Sequence, residues 1–212
     1  MNANPRYDYG FGSLVLFNIG FFLLFVLGFI KPKKKIEWKS MRVLIAFIVA
    51  LFTEMFGFPL TIYFLTGILG NRYPSLDPFS NRSGHLWLVF LGIENSDIAF
   101  LIIHLVNIGF IVGGLTLMAL GWKKIHRAKG ELVTTGIYSW VRHPQYLGIF
   151  LLMIGFLILW PTLVTVAMFP ILMFSYYKLA RKEEEYLKQN FGYTYVEYQK
   201  KVPPFIPRLF PR

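Results

Sequence analysis

Apolar and polar positions come in long blocks along this chain, without the period of a half-buried strand or of an amphipathic surface helix. Leu14 to Ile30 is an uncharged run of 17 residues. As a helix it rises about 26 Å, close to the ~30 Å hydrocarbon core of a bilayer. Met41 to Leu69 is a second apolar stretch, interrupted by Glu54 and Pro59 and long enough to imply a kinked or tilted helix. Ile98 to Leu120 is a third span. Tyr146–Trp160 and Thr162–Tyr177 are runs of 15 and 16 residues separated by Pro161 alone, which predicts a tight helical hairpin. The pattern predicts an all-α integral membrane protein with about five transmembrane helices, the last two forming that C-terminal hairpin. Lys178 to Asn190 should continue as a helix out of the membrane. After Gly192, the prolines at 203, 204, 207 and 211 predict an extended tail. Residues 1–212 read as one membrane domain, with three helices in 1–120 and the hairpin and C-terminal segment in 121–212.

Charge orients these elements. Lys31 to Arg42 holds six basic residues and one acid, Gly121 to Gln145 five and one, and Lys178 to Arg212 eight and four. Asn71 to Asp97 carries Arg72 and Arg82 against Asp77, Glu94 and Asp97. The positive-inside bias then predicts a multi-pass topology with the N-terminus outside and the C-terminus cytoplasmic. The chain is 55% hydrophobic and only 16% charged, below the quarter usual for soluble domains. Its net charge of +11 flanks apolar runs. Membrane lipids with anionic headgroups are therefore the expected partners, and nucleic acid is not. The absence of cysteine excludes thiol catalysis, disulfides and cysteine metal sites. Met1 to Tyr9 is polar without a basic n-region, and no small-residue cleavage site follows Leu14–Ile30, so that run reads as a retained helix.

Several polar groups lie within apolar stretches. Glu54 reads as a carboxyl hydrogen-bonded to a neighbouring helix, with a functional site as the other reading. His85 to Ile93 reads as an interfacial segment with Trp87 at headgroup level and His85 as an interfacial polar residue. Gly109 and Gly113, with Gly114 adjacent, predict close approach of another helix. His104 and Asn107, one turn apart, could share a hydrogen bond across an interface. With no acid near them in sequence, no metal site is expected.

The chemistry concentrates at Gly136 to Gly148, G-I-Y-S-W-V-R-H-P-Q-Y-L-G, between a basic loop and an apolar run. The hairpin brings this stretch and Lys178–Tyr198 to one cytoplasmic rim. There Arg142 and Arg181, Glu183 and Glu184, His143, and the rings of Tyr138, Tyr146, Tyr195 and Tyr198 converge. Such a rim suits a cationic, nucleotide-like ligand and a lipophilic partner. Each motif also has a plainer use: Arg-His-Pro anchors a helix start at headgroups, and the glutamates favour a helix dipole.

The ordered pattern G-x-Y-x-x-V-R-H-P-x-Y-x-G, then Glu183-Glu184-x-x-Leu187-x-x-x-Phe191-Gly192-x-x-Tyr195-x-x-Tyr198, resembles the isoprenylcysteine carboxyl methyltransferase and phospholipid methyltransferase superfamily over about Glu131 to Pro207. The resemblance implies an S-adenosylmethionine-dependent methyltransferase acting on a lipophilic or lipid-anchored acceptor at the cytoplasmic rim. It implies donor contacts at Glu131, Leu132, Val133, Gly136, Tyr138, His143, Pro144, Tyr146, Glu183 and Glu184. Arg142, His143, Arg181 and Glu184 are the implied catalytic residues, with Arg142 or Arg181 orienting an acceptor carboxylate or phosphate. Carboxylate O-methylation is favoured. An ethanolamine-type acceptor would need His143 or a rim glutamate as base. An NADPH-dependent sterol-type reductase and a non-catalytic membrane protein are the alternatives from other classes.

Overall fold

The computed structural model describes residues 12–29, 35–78 and 80–207. The expectations for Met1–Tyr9, for Lys31, Lys33 and Lys34, and for Pro211 fall outside the described residues. Within them the elements are all helical: α1 (Gly12–Phe29), α2 (Lys35–Phe56), α3 (Leu60–Leu69), α4 (Leu86–Leu91), α5 (Asp97–Arg127), α6 (Pro144–Leu159) and α7 (Leu163–Lys201). Short 3₁₀ turns occupy Asn81–Gly84 and Gly136–Ser139. Two helices, α5 and α7, are long and apolar enough to cross a membrane. Together α2 and α3 pass the same test as a broken span bent by 65°, and α1 and α6 are shorter apolar helices.

The bend between α2 and α3 lies where Pro59 offers no N–H. Glu54 Oε2 accepts the Thr61 N–H at 3.0 Å, satisfying a donor of the first turn of α3. Thr61 Oγ1 in turn accepts the Leu163 N–H at 2.9 Å, tying this corner to the start of α7. Thr162 and Thr165 close a capping box there. Glu54 thus serves as a structural link.

In the core, α1 packs on α2, α2 on α7 and α6 on α5. Phe22, Phe52 and Phe156 form an aromatic triad with centroids 5.3–5.4 Å apart, joining α1, α2 and α6. Near Leu159, the segment before α5 closes the bundle. His85 is buried there, its Nδ1 donating to Leu159 O at 2.9 Å, so it is a packed core group and not an interfacial residue. Trp87 donates to Leu157 O at 3.0 Å and remains half exposed.

Four other expectations change. The segment Lys35–Arg42, read as loop, forms the first turns of α2. After Gly192, which breaks α7 at φ 50° and ψ −127°, the chain is helical again to Lys201; it extends only from Val202. Tyr195 and Tyr198 pack against Leu132 of the strip before α6, which offsets the proline-driven preference for extended chain. His104 Nδ1 bonds to Phe100 O of its own helix at 2.9 Å, and the Asn107 amide nitrogen is buried without a partner, so the two share no bond.

The fourth change is in the glycines. A Cβ on Gly114 would lie 2.6 Å from Gly148 O, and one on Gly148 2.6 Å from Gly114 O. Gly109 and Gly113 have nothing within 4 Å. Asn107, Gly114 and Gly121 recur every seventh residue, as do Gly148 and Gly155, so the α5–α6 seam follows a heptad and not the four-residue spacing. Gly114→Ala or Gly148→Ala is expected to cost about 1–3 kcal/mol by overpacking. Gly109→Ala should be neutral or stabilising by up to about 1 kcal/mol. Thermal unfolding of the purified variants in one detergent checks the contrast.

Candidate functional site

Arg142 and His143 precede α6, whose first position is Pro144, a residue with no N–H to leave unpaired. The N–H groups of Arg142 and His143 donate to Pro203 O and Pro204 O at 2.9 and 3.1 Å. The tail therefore returns across the rim and fixes the backbone that carries both side chains. Residues 160–162 join α6 to α7, whose polar half brings the glutamates back to the same rim.

There His143 Nε2 donates to Glu184 Oε1 at 3.1 Å, and its Nδ1 lies 3.6 Å from Glu183 Oε2. Tyr146 stacks on the imidazole and donates its hydroxyl to Glu183. Arg142 Nη1 stands 3.2 Å from Glu184 Oε1, with side chains only 8% and 3% exposed, so this ion pair is out of water. Glu184 Oε2 accepts from Gln199 at 3.0 Å. Arg181 reaches the same oxygen at 3.7 Å from an exposed position, where screening leaves little energy in the contact.

Burial raises the Glu184 pKa. The hydrogen bond from His143 and the charges of Arg142, His143 and Arg181 outweigh it and hold the carboxyl below its ordinary value. The folded-state pKa is thus depressed, so the stability this group contributes is present above its unfolded pKa of about 4.3 and is lost as pH falls through the folded value. Acid unfolding should therefore steepen below about pH 4.3 in the wild type and flatten in Glu184→Gln, as read by tryptophan fluorescence against pH.

Beside this cluster opens a cleft of about 530 Å³ walled by Glu131, Leu132, Val133, Tyr138 and Arg142 on one side. Leu187, Asn190, Phe191, Tyr195 and Tyr198 of α7 form the other. Tyr198 donates to Tyr138 O at 2.6 Å, clamping the two walls together. Arg142 Nε and Nη1 complete no hydrogen bond among the described residues despite burial, and the Tyr195 hydroxyl likewise has none. Burial, then the negative charge of Glu184, pushes the Tyr195 phenol up to about 12 against the pull of Arg142, so it stays a neutral donor at neutral pH. Arg142 also lines a cavity of about 70 Å³ on its other flank, with Tyr177, Ala180, Arg181, Glu184, Pro204 and Phe205. The one buried guanidinium separates two spaces.

The residues singled out from sequence therefore fall into two groups. Glu131, Leu132, Val133, Tyr138 and Arg142 face the cleft. His143, Pro144, Tyr146 and Glu183 do not line it, and Glu184, the ion-pair partner of Arg142, lines the smaller cavity. Gly136 lines a neighbouring groove; its φ of 66° favours glycine, while a Cβ there would meet only the movable end of Lys124. Sequence reasoning missed Gln199, the cleft-lining Asn190, and Gln145, which donates to the Tyr138 hydroxyl. A lone amide carries no pattern that would have found them.

Comparison with known proteins bears on this geometry. The model of the isoprenylcysteine carboxyl methyltransferase (ICMT) family matches residues 98–189, which include the α5–α6 seam, the Arg-His-Pro turn and the glutamate pair. Over that region the chain is similar to the isoprenylcysteine carboxyl methyltransferase family. A protein-S-isoprenylcysteine O-methyltransferase of Schizosaccharomyces pombe is 40% identical over 79 residues, 37% of this chain and 34% of that protein. The Saccharomyces cerevisiae protein of the same name is 40% identical over 77 residues, 36% of this chain and 32% of its own. The human one is 35% identical over 77 residues, 36% and 27% respectively. The chain thus spans about a third of the length of the curated relatives it matches. No solved structure matches it.

Proposed function

We propose that this protein is an S-adenosylmethionine-dependent methyltransferase that esterifies the carboxylate of a prenylated, lipid-anchored cysteine at the cytoplasmic membrane rim. The observation that carries the reading is Arg142: a buried guanidinium in the wall of a 530 Å³ cleft, its Nη1 ion-paired with Glu184 and its Nε hydrogen-bonded to nothing among the described residues. Buried donors of that kind ask for an anionic partner, and cofactor clefts run from about 300 to 1,000 Å³. The residues present thus fit the donor. Arg142 would take a carboxylate, Glu131 an ammonium, and the rings of Tyr138, Phe191, Tyr195 and Tyr198 a flat or cationic surface.

S-adenosylmethionine, when bound, supplies a methyl group on a positively charged sulfur, a leaving group that needs no acid assistance. The chain's own residues then have three tasks. The aromatic walls exclude water, so electrostatic interactions inside strengthen. Glu184, itself bonded to His143 and Gln199, would hold Arg142 in place, so that orientation is set before binding. The flank beyond Arg142, lined by Tyr177, Arg181, Glu184 and Phe205, would offer an acceptor carboxylate, already ionised at neutral pH, the cations of Arg142 and Arg181, which also offset the charge of Glu184. No general base is then required.

The topology that fits this function has five membrane helices, with the N-terminus outside and the site and C-terminus cytoplasmic. It is supported by the cations Lys123, Lys124 and Arg127 beside the cleft and by Asp77, Glu94 and Asp97 at the other end of α5. The broken pair α2–α3 would count as one span.

The acceptor is tested with radiolabelled donor and three lipophilic probes: a farnesylated cysteine with a free carboxylate, its methyl ester, and phosphatidylethanolamine. Label should appear on the free carboxylate alone. Transfer to phosphatidylethanolamine instead would move the assignment to amine methylation. Phe205→Ala, at the mouth of the acceptor flank, is expected to change KM for the farnesylated probe severalfold with kcat altered less, because it removes apolar contact made equally in ground and transition states.

A further inference from the structure

A second cavity, of about 610 Å³, lies beside the cleft and shares Glu131, Leu132 and Val133 with it as a common wall. The far wall is the last turns of α5, with Leu120, Lys123, Lys124 and Arg127 on one face by their three- and four-residue spacing. Thr134 and Thr135 supply hydroxyls across the groove, and Lys124 Nζ donates to Thr135 Oγ1 at 2.9 Å. Three cations face one carboxylate, Glu131, in a space whose far wall on α5 the methyl-transfer reading does not use.

The helix face leading to this groove is bare. Going back from Leu120 by the same spacing come Thr116, Gly113 and Gly109, and a Cβ on either glycine would meet nothing within 4 Å among the described residues. Met118, Gly114 and Asn107, which bury against α6, lie on the opposite side. Exposed Val112 and Leu105 flank the glycines. A shallow apolar channel thus runs along a helix long and apolar enough to span a membrane, and it ends at a phosphate-sized cluster of cations and hydroxyls where that helix leaves the apolar region.

We infer that this groove and channel form a binding site for one anionic membrane phospholipid, its phosphodiester held by Lys123, Lys124, Arg127 and the threonines and an acyl chain lying over Gly113. Charge complementarity selects this occupant. A second copy of the chain would bring the same cations to the groove and repel, whereas an anionic headgroup neutralises them and its chain matches the bare face. Because Glu131–Val133 also wall the cleft, the lipid would brace the strip that carries three of the proposed donor contacts.

The test is native mass spectrometry of the detergent-purified full chain in equimolar dioleoyl-phosphatidylglycerol and dioleoyl-phosphatidylcholine, a readout that involves no methyl transfer. The wild type should retain the anionic lipid by about tenfold or more over the zwitterionic one, from three near-surface cations. Lys123→Gln/Lys124→Gln/Arg127→Gln should bring the ratio near one, while Lys188→Gln/Lys200→Gln/Lys201→Gln, the same charge change elsewhere on the rim, should keep it. Should the first triple variant not fold, Lys124→Gln and Gly113→Leu are read instead, each expected to lower the ratio severalfold. A ratio unchanged in the groove variants, or lost equally in the control, overturns the site. Displacement of the lipid by inorganic phosphate would reassign the groove to a free anion. A dimer abolished by Gly113→Leu would give the face to a second copy.

Discussion

Replacing Glu184 with alanine should lower the thermal midpoint on the order of 10 °C and abolish donor binding together. Glu184 is 2% exposed and is the partner of Arg142, His143, Arg181 and Gln199 at once. Removing one member of a buried ion pair leaves the other charge uncompensated, at about 3–5 kcal/mol. In a domain of this size each kcal/mol moves the midpoint by roughly 2–4 °C. Glu184→Gln keeps the shape and one acceptor oxygen but not the charge, so it should fall between wild type and alanine. Differential scanning fluorimetry in detergent, with and without S-adenosylhomocysteine, separates the two losses. A Glu184→Ala protein as stable as wild type would mean that Arg142 is not held by this pair.

Arg142→Lys should keep the fold and lose most donor affinity. Lysine preserves the charge opposite Glu184 but replaces a planar fork by a point donor and removes Nε altogether. A hydrogen bond to a charged group contributes about 1.5–3 kcal/mol, so losing one should weaken S-adenosylhomocysteine binding roughly 10- to 150-fold. The thermal midpoint of the ligand-free protein should move far less than in Glu184→Ala, because the buried carboxylate still faces a cation. Equal affinities in Arg142→Lys and wild type would remove the guanidinium from the donor site.

Much of this arrangement was legible because the sequence signals were blocks and ordered motifs. Uncharged runs placed α1, α5, α6 and the start of α7, and the single proline between the last two foretold that their far ends would meet. His143 and Glu184 do meet, 41 positions apart, at hydrogen-bond distance. Spacing could not say which motif residues face the ligand. The glutamate pair and the histidine do not line the 530 Å³ cleft; Glu184 pairs with Arg142 and lines the smaller cavity, and His143 bonds to Glu184. That division depends on rotamers and on the tail's carbonyls at Pro203 and Pro204, neither of which leaves a trace in a motif.

The glycines teach a related lesson. The four-residue pair Gly109–Gly113 carries the familiar packing spacing, but burial follows the seven-residue series through Gly114, because the partner glycines on α6 repeat every seven. A seam is a property of two helices, and one helix's sequence holds only half of it. Helix 193–201 escaped notice for a similar reason. Its aromatic residues look like tail, and only the strip before α6 gives them something to pack against.

The most direct test is titration calorimetry of the detergent-purified protein with S-adenosylhomocysteine and, separately, NADPH, on the wild type and on Leu187→Trp, which fills the cleft without touching the Arg142–Glu184 pair. Micromolar binding of S-adenosylhomocysteine, none of NADPH, and loss of binding in Leu187→Trp are the results expected. A folded wild type that ignores S-adenosylhomocysteine, or a filled cleft that binds it unchanged, would contradict the assignment of the donor to this cleft.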